Sequence, residues 1–375
     1  MFTFGIDANA LTRPSRTGTE RYVSSLLREM MKFPLQQDEE VILYSSGPID
    51  EFRQLPAGWS LRVLNWPPKK VWTHARLSWE LIRRTPNVFF TPAHEIPRFY
   101  RRTKIVSTVH DVAFCIVPEV YSETSRRRQE WAVKRAIREA DHLITVSNTT
   151  KQDLESIYHV PSSKITATQL AIEPDDFQVS EEKKRFVLQK YRLSRKKYFI
   201  TIGRVEQKKN VLMLIDAFSE FKRSRPSDDP IELVFGGSVG FGEDVIMAKI
   251  NASAVKESIK LLGYIPEEDL AGLVSGALAY VFPAHYEGFG IPALEAMAAE
   301  VPLIASDIPA LREVAGEAAI FASPQSIGQW AGAMKKISDQ EVDIDELVER
   351  GRERVGQFSW EKTAQKTWEV LRSLK

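Results

Sequence analysis

Two glutamates stand eight positions apart, Glu287 and Glu295, in the stretch YVFPAHYEGFGIPALEAMAAE from Tyr280 to Glu300. The pattern predicts a strand ending at Pro283, a loop holding Gly288 and Gly290, and a helix opened by Pro292, whose missing N–H a first turn does not need. Glu295 then falls in that first turn. The backbone N–H groups of about Phe289 to Ala293 should point out of the helix start, where an anion is favoured. The glycines let a ligand approach the backbone closely. The C-terminal edge of a parallel strand is also where open α/β sheets bind ligands. Carboxylates accept hydrogen bonds from vicinal hydroxyls, and helix starts hold phosphate. A ligand with both groups, such as a nucleotide sugar, suits the string. The plain alternative makes Glu295 a surface ion-pair partner and Glu287 a solvated loop residue; it serves for either residue alone better than for the whole string.

Other residues could share that chemistry. Gly203–Asn210, GRVEQKKN, sits between an expected strand and helix and carries Arg204, Lys208 and Lys209. Gly18 and Thr19 close the loop after the first strand, and a helix starts at Thr19, giving a second helix N-terminus at a sheet edge. This loop is not GxGxxG, which removes the main support for a dinucleotide site. His110 ends a strand just before Asp111, which could cap the following segment. Asp343-Ile344-Asp345 is a D-x-D, a metal-binding signature in other settings, but it lies in a polar region where an acidic helix start is the simpler reading. No metal site is expected from it, nor from six scattered histidines and the single Cys115.

These residues need elements to place them. Short apolar runs alternate with amphipathic helical stretches along the whole chain. Strands are expected at 2–6, 41–44, 61–64, 88–90, 105–109 and 142–146, and again at 198–202, 231–235, 259–262, 279–282, 302–305 and 319–321. Helices fit 19–31, 122–140, 210–223, 267–275, 292–299, 327–337 and 360–374. Such alternation means α/β architecture with parallel sheets covered on both faces. A length of 375 residues suits two domains. The polar segment EPDDFQVSEEKK marks the expected join.

With 43 % hydrophobic and 27 % charged residues, the composition is that of a globular protein in water. One cysteine excludes an internal disulfide and fits a reducing compartment. The N-terminus reads as a first strand rather than a signal peptide, since Asp7 interrupts its apolar run. No uncharged apolar run approaches the roughly 18 residues of a membrane span. The net charge of +1 hides an asymmetry: residues 1–170 carry 24 Lys and Arg against 18 Asp and Glu. The excess gathers at Arg98, Arg101, Arg102 and Lys104, and at Arg126, Arg127, Arg128, Lys134, Arg135 and Arg138. It is either a set of solvated faces or a surface for anionic lipid or a phosphorylated acceptor. Nucleic acid is not expected, because no recognition motif accompanies the charge.

The string EGFGIPALEA followed by VPLIASDIPALREVAG resembles the donor-binding core of the family 4 retaining glycosyltransferases. Further similar pieces stand in the family's order: TGTERYV, HDVAF, TVSNTTKQDL, GRVEQKKN, FGGS and LGYIPEEDL. FSWEKTA is similar to the segment that returns to the first domain in that family. The resemblance implies the GT-B fold, two Rossmann-like domains with parallel sheets facing across a cleft. Residues 1–175 would be the acceptor domain, joined by a C-terminal helix at about 358–375, and 176–357 the nucleotide-sugar donor domain.

The resemblance also implies roles. Arg204 and Lys209, favoured over Lys208 by the family's spacing, would bind the donor diphosphate and offset charge on the leaving phosphate. Glu287 would meet a sugar hydroxyl, and the backbone at Gly288, Phe289, Gly290 and Ile291 would hold sugar and phosphate. Glu295 would hold the ribose, and Tyr264 and Ile265 the base. Gly18 and Thr19 would face the donor phosphates, and His110 would position the donor sugar. No protein base is assigned, because the donor phosphate can itself take the acceptor proton. The expected activity is transfer with retention, without metal or other cofactor. The opening FGIDANALTRPSRTGTERYV is similar to members acting in surface-polysaccharide assembly, which makes GDP-mannose the first candidate donor. A lipid-linked saccharide would be the acceptor, met in the cytoplasm at the inner membrane face through a peripheral contact of the basic first domain. The alternatives are another GT-B enzyme, a phosphorylase or epimerase, and a non-catalytic nucleotide-sugar-binding protein. The intact set of Arg204, Lys209, Glu287 and Glu295 speaks against the last.

Overall fold

The computed structural model describes residues 1–13, 18–66, 71–240 and 242–375. It holds two parallel sheets. The first contains β1 (Phe2–Asp7), β2 (Glu39–Ser45), β3 (Trp59–Val63), β4 (Val88–Thr91), β5 (Lys104–Val109), β6 (His142–Thr145) and β7 (Ile165–Ala167), in the order β3-β2-β1-β4-β5-β6-β7. The second contains β8 (Tyr198–Ile202), β9 (Glu232–Gly236), β10 (Ile259–Leu261), β11 (Ala279–Phe282), β12 (Leu303–Ser306) and β13 (Ala319–Ala322), in the order β10-β9-β8-β11-β12-β13. These strands pair in parallel, as Phe4 opposite Val41 and Val88, and Ile200 opposite Val234 and Tyr280, illustrate. Central strands such as β4 and β11 are buried at every residue, which is why they read as continuous apolar runs without alternation.

The chain divides into two compact units. The first comprises Met1–Cys115, Ser122–Leu170 and Ser359–Lys375; the second comprises Ile116–Tyr121 and Ala171–Phe358. Each is a doubly wound, Rossmann-like layer structure, the α/β class expected. β7, of three residues with only Ile165 buried, was not anticipated. Helices Asn148–Tyr158 and Glu181–Lys190 were also missed, although Ser147 and Ser180 cap them by accepting from the N–H groups of Thr150 and Lys183. Asp343 of the D-x-D caps helix Ile344–Val355, its carboxylate accepting from the Glu346 N–H at 2.9 Å.

The first unit is completed by helix Trp360–Ser373. Trp368 is buried on it, with its indole N–H donating to the Met30 carbonyl at 3.1 Å. Its ring meets Phe4 and Trp59 edge-on, with centroids 5.4 and 6.0 Å away. The closing helix is therefore anchored by packing and a buried hydrogen bond together. Trp368→Ala leaves a cavity and takes the indole hydrogen bond from the Met30 carbonyl, which keeps only the Phe33 N–H, and should cost about 3–5 kcal/mol. Urea unfolding checks this; a loss below about 1 kcal/mol would show that the helix is not an integral part of the first unit.

Candidate functional site

In the second unit the strand order reverses between β8 and β11. The loops leaving these neighbours run in opposite directions, and the crevice between their ends is where such sheets take ligands. β8 leads into Gly203–Asn210 and β11 into Pro283–Gly290, so both chemistry-bearing loops open here. Glycine is required at two close approaches around the crevice, one on the β9 side and one against the helix Pro309–Ala315. A Cβ on Gly237 would lie 1.9 Å from the Gly203 carbonyl oxygen, and Gly237 has φ +133°. A Cβ on Gly290, φ +109°, would lie 2.6 Å from Leu311 Cδ2. No other residue type fits at either place.

Lys209 closes a 3-10 turn, Gln207–Lys209, and Asn210 reverses the chain in the left-handed region before helix Val211–Arg223 begins. Asn210 is buried, and its amide donates to the Pro324 carbonyl at 2.7 Å. That anchor fixes the turn, and the turn brings the Lys209 ammonium 2.5 Å from Glu287 Oε1. The pair is half-buried, with side-chain exposures of 26 % and 14 %. The same ammonium lies 5.2 Å from the Phe282 ring centre. Lys208 points elsewhere, over the ring of Tyr121, while its carbonyl accepts from the His285 N–H at 3.4 Å. Arg204 is exposed, with no hydrogen bond or ion pair among the described residues.

Tyr280 ties the two strands at the crevice floor. Its hydroxyl accepts from the Ile202 N–H at 2.9 Å and donates to the Ile202 carbonyl at 3.1 Å. Burial raises its phenol pKa far above the usual value, and the carboxylates of Glu295 and Glu287 push it the same way. Glu295 is buried in helix Ile291–Ala298, whose N-cap is Gly290. The Ala293 N–H, expected among the free donors, is instead taken by the Gly290 carbonyl at 2.9 Å as the first turn tightens. Phe289, Gly290 and Ile291 keep N–H groups without an acceptor among the described residues. Gly288 and Phe289 are buried, and the Phe289 ring packs edge-on against Phe358. Tyr264 is 72 % exposed just after β10, and Ile265 reaches back toward Gly236 at the end of β9.

The first unit repeats the reversal between β1 and β4. Gly18 and Thr19 open helix Gly18–Met30; Thr17 of the TGTERYV motif lies outside the described residues. His110 follows β5, and its Nε2 lies 2.9 Å from the Pro92 carbonyl oxygen, beyond β4. A carbonyl only accepts, so Nε2 carries the proton and the neutral ring leaves Nδ1 as an acceptor. Burial lowers the His110 pKa, the Pro92 carbonyl opposes this, and Tyr22 packs edge-on at 5.0 Å. His94 is lowered by burial as well, and its Nδ1 is buried without a hydrogen-bond partner among the described residues. Asp7, the last residue of β1, is pushed up to about 6 by burial and by Glu95, against the Asn9 N–H and Arg13. The sequence reading passed over Tyr280, His94 and Asp7 as chemistry. Asp7 alone left a signal, a carboxylate at the end of an apolar strand. Among the described residues no group of three or more His, Cys, Asp or Glu is placed to hold a metal.

Both units are thus doubly wound, Rossmann-like sheets whose strand order reverses at a crevice. The whole chain superimposes on Anabaena Alr3699/HepE solved with UDP-glucose, with TM-score 0.76, 15 % identity and complete coverage of both chains. It also superimposes on WaaG, a glycosyltransferase involved in lipopolysaccharide biosynthesis, with TM-score 0.73, 15 % identity and 99 % coverage of both. Residues 181–354 match the sequence model of glycosyl transferases group 1, and residues 16–176 that of glycosyltransferase family 4. The protein belongs to the family 4, group 1 glycosyltransferases. Among curated relatives, O-antigen chain mannosyltransferase B of Escherichia coli is 29 % identical over 78 % of this chain and 76 % of its own. O-antigen chain mannosyltransferase RfbU of Salmonella typhimurium is 26 % identical over 81 % of this chain and 78 % of its own.

The raised Asp7 pKa has a consequence for stability. A folded-state value above the unfolded one contributes stability that is present below about 4 and lost as pH rises through about 6. Asp7→Asn keeps an acceptor for the Asn9 N–H, which Asp7 Oδ1 now holds at 2.9 Å, and removes the buried charge. The variant should melt higher than the parent at pH 8, by up to roughly 3 kcal/mol, with the gain gone near pH 4. Calorimetry at both pH values checks this; a gain independent of pH would mean that charge burial is not the cause.

Proposed function

We propose that the protein transfers a sugar, with mannose from GDP-mannose as first candidate, to a lipid-linked saccharide in surface-polysaccharide synthesis, with retention and without a metal. The Lys209–Glu287 pair carries the reading. It sets a cation for phosphate and a carboxylate for hydroxyls side by side, at the mouth of a crevice whose helix start offers free N–H groups. The names of the O-antigen relatives support mannose and a polysaccharide product.

The donor diphosphate lies against the N–H groups of Phe289, Gly290 and Ile291, with Arg204 and Lys209 above it. As the sugar–phosphate bond breaks, negative charge grows on the leaving phosphate. Fixed cations and N–H dipoles in a half-buried site favour that charge without reorganising. Lys209 has three N–H donors, so it can keep Glu287 oriented while reaching an oxygen of the phosphate. Glu287 accepts from a sugar hydroxyl and Glu295 from the ribose. His110, neutral with its Nε2–H committed to Pro92, offers Nδ1 to a sugar hydroxyl. Gly18 and Thr19 supply a second helix start for the phosphates, and Tyr264 and Ile265 the setting of the base. The leaving phosphate takes the acceptor proton. No helix among the described residues is long and apolar enough to cross a membrane. The proposed place is the cytoplasm, with a peripheral contact to the inner membrane face where the acceptor lies.

Lys209→Ala should lower kcat/KM for the donor by about a hundredfold or more, the scale of losing a preorganised charge at a leaving group. Melting should shift by only a few degrees, because the pair is partly solvated. Comparable losses of stability and activity would remove Lys209 from the chemistry. Activity should survive EDTA; complete loss restored by Mn²⁺ would refute the metal-free mechanism. Thermal-shift assays with GDP-, UDP-, ADP- and dTDP-sugars identify the donor, since the bound nucleotide raises apparent stability. Failure of every sugar nucleotide to release its diphosphate would favour a non-catalytic binder.

A further inference from the structure

The first unit carries an apolar surface that the donor chemistry does not use. Helix Ser78–Arg83 and the π-helical turn Thr73–Leu77 before it border a groove of about 520 Å³ whose other wall is Arg98 and Phe99. Val71, Trp79, Ile82 and Phe99 line it and are 62, 50, 38 and 57 % exposed. Trp131, 54 % exposed, continues the patch through an edge contact with His74. Scattered surface apolar residues are ordinary, but five large ones in one connected place are not.

The patch is held rigidly. The Phe99 N–H donates to the buried Ser78 hydroxyl at 3.2 Å. Arg135, also buried, donates to the carbonyls of Ile96 and Pro97 at 2.9 and 2.6 Å. The segment carrying Phe99 is thereby pinned against the helix carrying Trp79. These bonds keep the aromatic rings at the surface.

Its charge has one sign. Arg83 stacks on Trp79 at 4.5 Å and Arg98 on Phe99 at 5.5 Å. Arg83, Arg98, Arg101 and Arg102 are exposed and form no ion pair among the described residues. Glu80, the acid of that helix, is buried and answered by Arg62, Arg76 and Arg84. The basic helix Glu123–Glu139 differs: Arg127, Arg128, Lys134, Arg135 and Arg138 each pair with a glutamate. Arg126 of that helix has no ion pair among the described residues, but Arg83 and Arg98 lie unpaired on the aromatic rings themselves, with Arg101 and Arg102 just beyond Phe99 in the chain.

We infer that this groove and its arginine rim form the surface by which the protein docks on an anionic lipid bilayer, with Trp79 and Phe99 entering the headgroup layer. The inference rests on the peripheral contact proposed above and names where it occurs. Tryptophan and other aromatic rings favour the headgroup level, and arginine is drawn to lipid phosphate. A second copy of the chain would bring the same unpaired arginines face to face, which like charge opposes.

The full-length chain is sedimented with vesicles of phosphatidylcholine alone and with equimolar phosphatidylglycerol, without donor or acceptor. The parent should bind the anionic vesicles and be released by high salt. Trp79→Ala with Phe99→Ala should bind them roughly tenfold more weakly or worse, while keeping its thermal shift with sugar nucleotide. Phe99→Ala alone serves if the double variant fails to fold. Equal binding by parent and variant overturns this surface and leaves a membrane contact elsewhere. No binding by the parent overturns the contact itself and leaves the transferase reading untouched. A dimer of the parent, broken by the same substitutions, would show that the groove is a self-association face and overturn the inference.

Discussion

Strands that run the same way cannot turn back on their neighbours, so every connection must cross a face of the sheet and return. That constraint governs both units. The chain leaves β1 toward β2 and β3, then comes back to lay β4 on the other side; β8, β9, β10 and β11 repeat the manoeuvre. At each reversal two loops diverge and leave their strand ends uncovered. Gly203, Lys209 and Glu287 stand at one reversal, and Asp7 and the Pro92 carbonyl at the other. On the other side of β8, Gly237 after β9 lets its loop backbone meet that of Gly203.

The two crevices are electrostatically unlike. In the second unit Lys209 pairs with Glu287 in the loop that leads to a helix start with free N–H groups, and Glu295 and Glu287 raise the Tyr280 pKa. In the first, burial moves His94, His110 and Asp7 toward their neutral forms. Charge and dipole suit a diphosphate. Neutral hydrogen-bonding groups suit hydroxyls, where a fixed charge would gain little and cost desolvation. A phosphate-rich donor and a hydroxyl-rich saccharide match this division.

Much of this was legible in the residues. The apolar runs of β8 and β11, Pro292 at a helix start and glycines at 288 and 290 fixed the fold class and the glutamate string. Lys209 and Lys208 could not be separated by type; the buried Asn210 amide, bonded far along the chain to Pro324, decides which one faces Glu287. Tyr280 reads as an ordinary strand aromatic, because its role comes from a neighbour 78 positions away. The basic helix misled in the opposite way. Its arginines look free in sequence, yet Arg128 pairs with Glu95 and Arg135 holds the carbonyls of Ile96 and Pro97. Non-local pairing, not composition, decides which charges remain unanswered.

The closing helix sets the order in which the protein can be built. The Trp368 indole reaches the Met30 carbonyl across 338 positions of chain. Synthesis delivers Met30 before the second unit and Trp368 after it, so the first unit waits for Ser359–Lys375 while the second, Ile116–Tyr121 with Ala171–Phe358, is already made. Domains fold as units when their residues are available. The unit begun first is therefore completed after the other, and β1 lacks its cover of Trp368 until helix Trp360–Ser373 has been made.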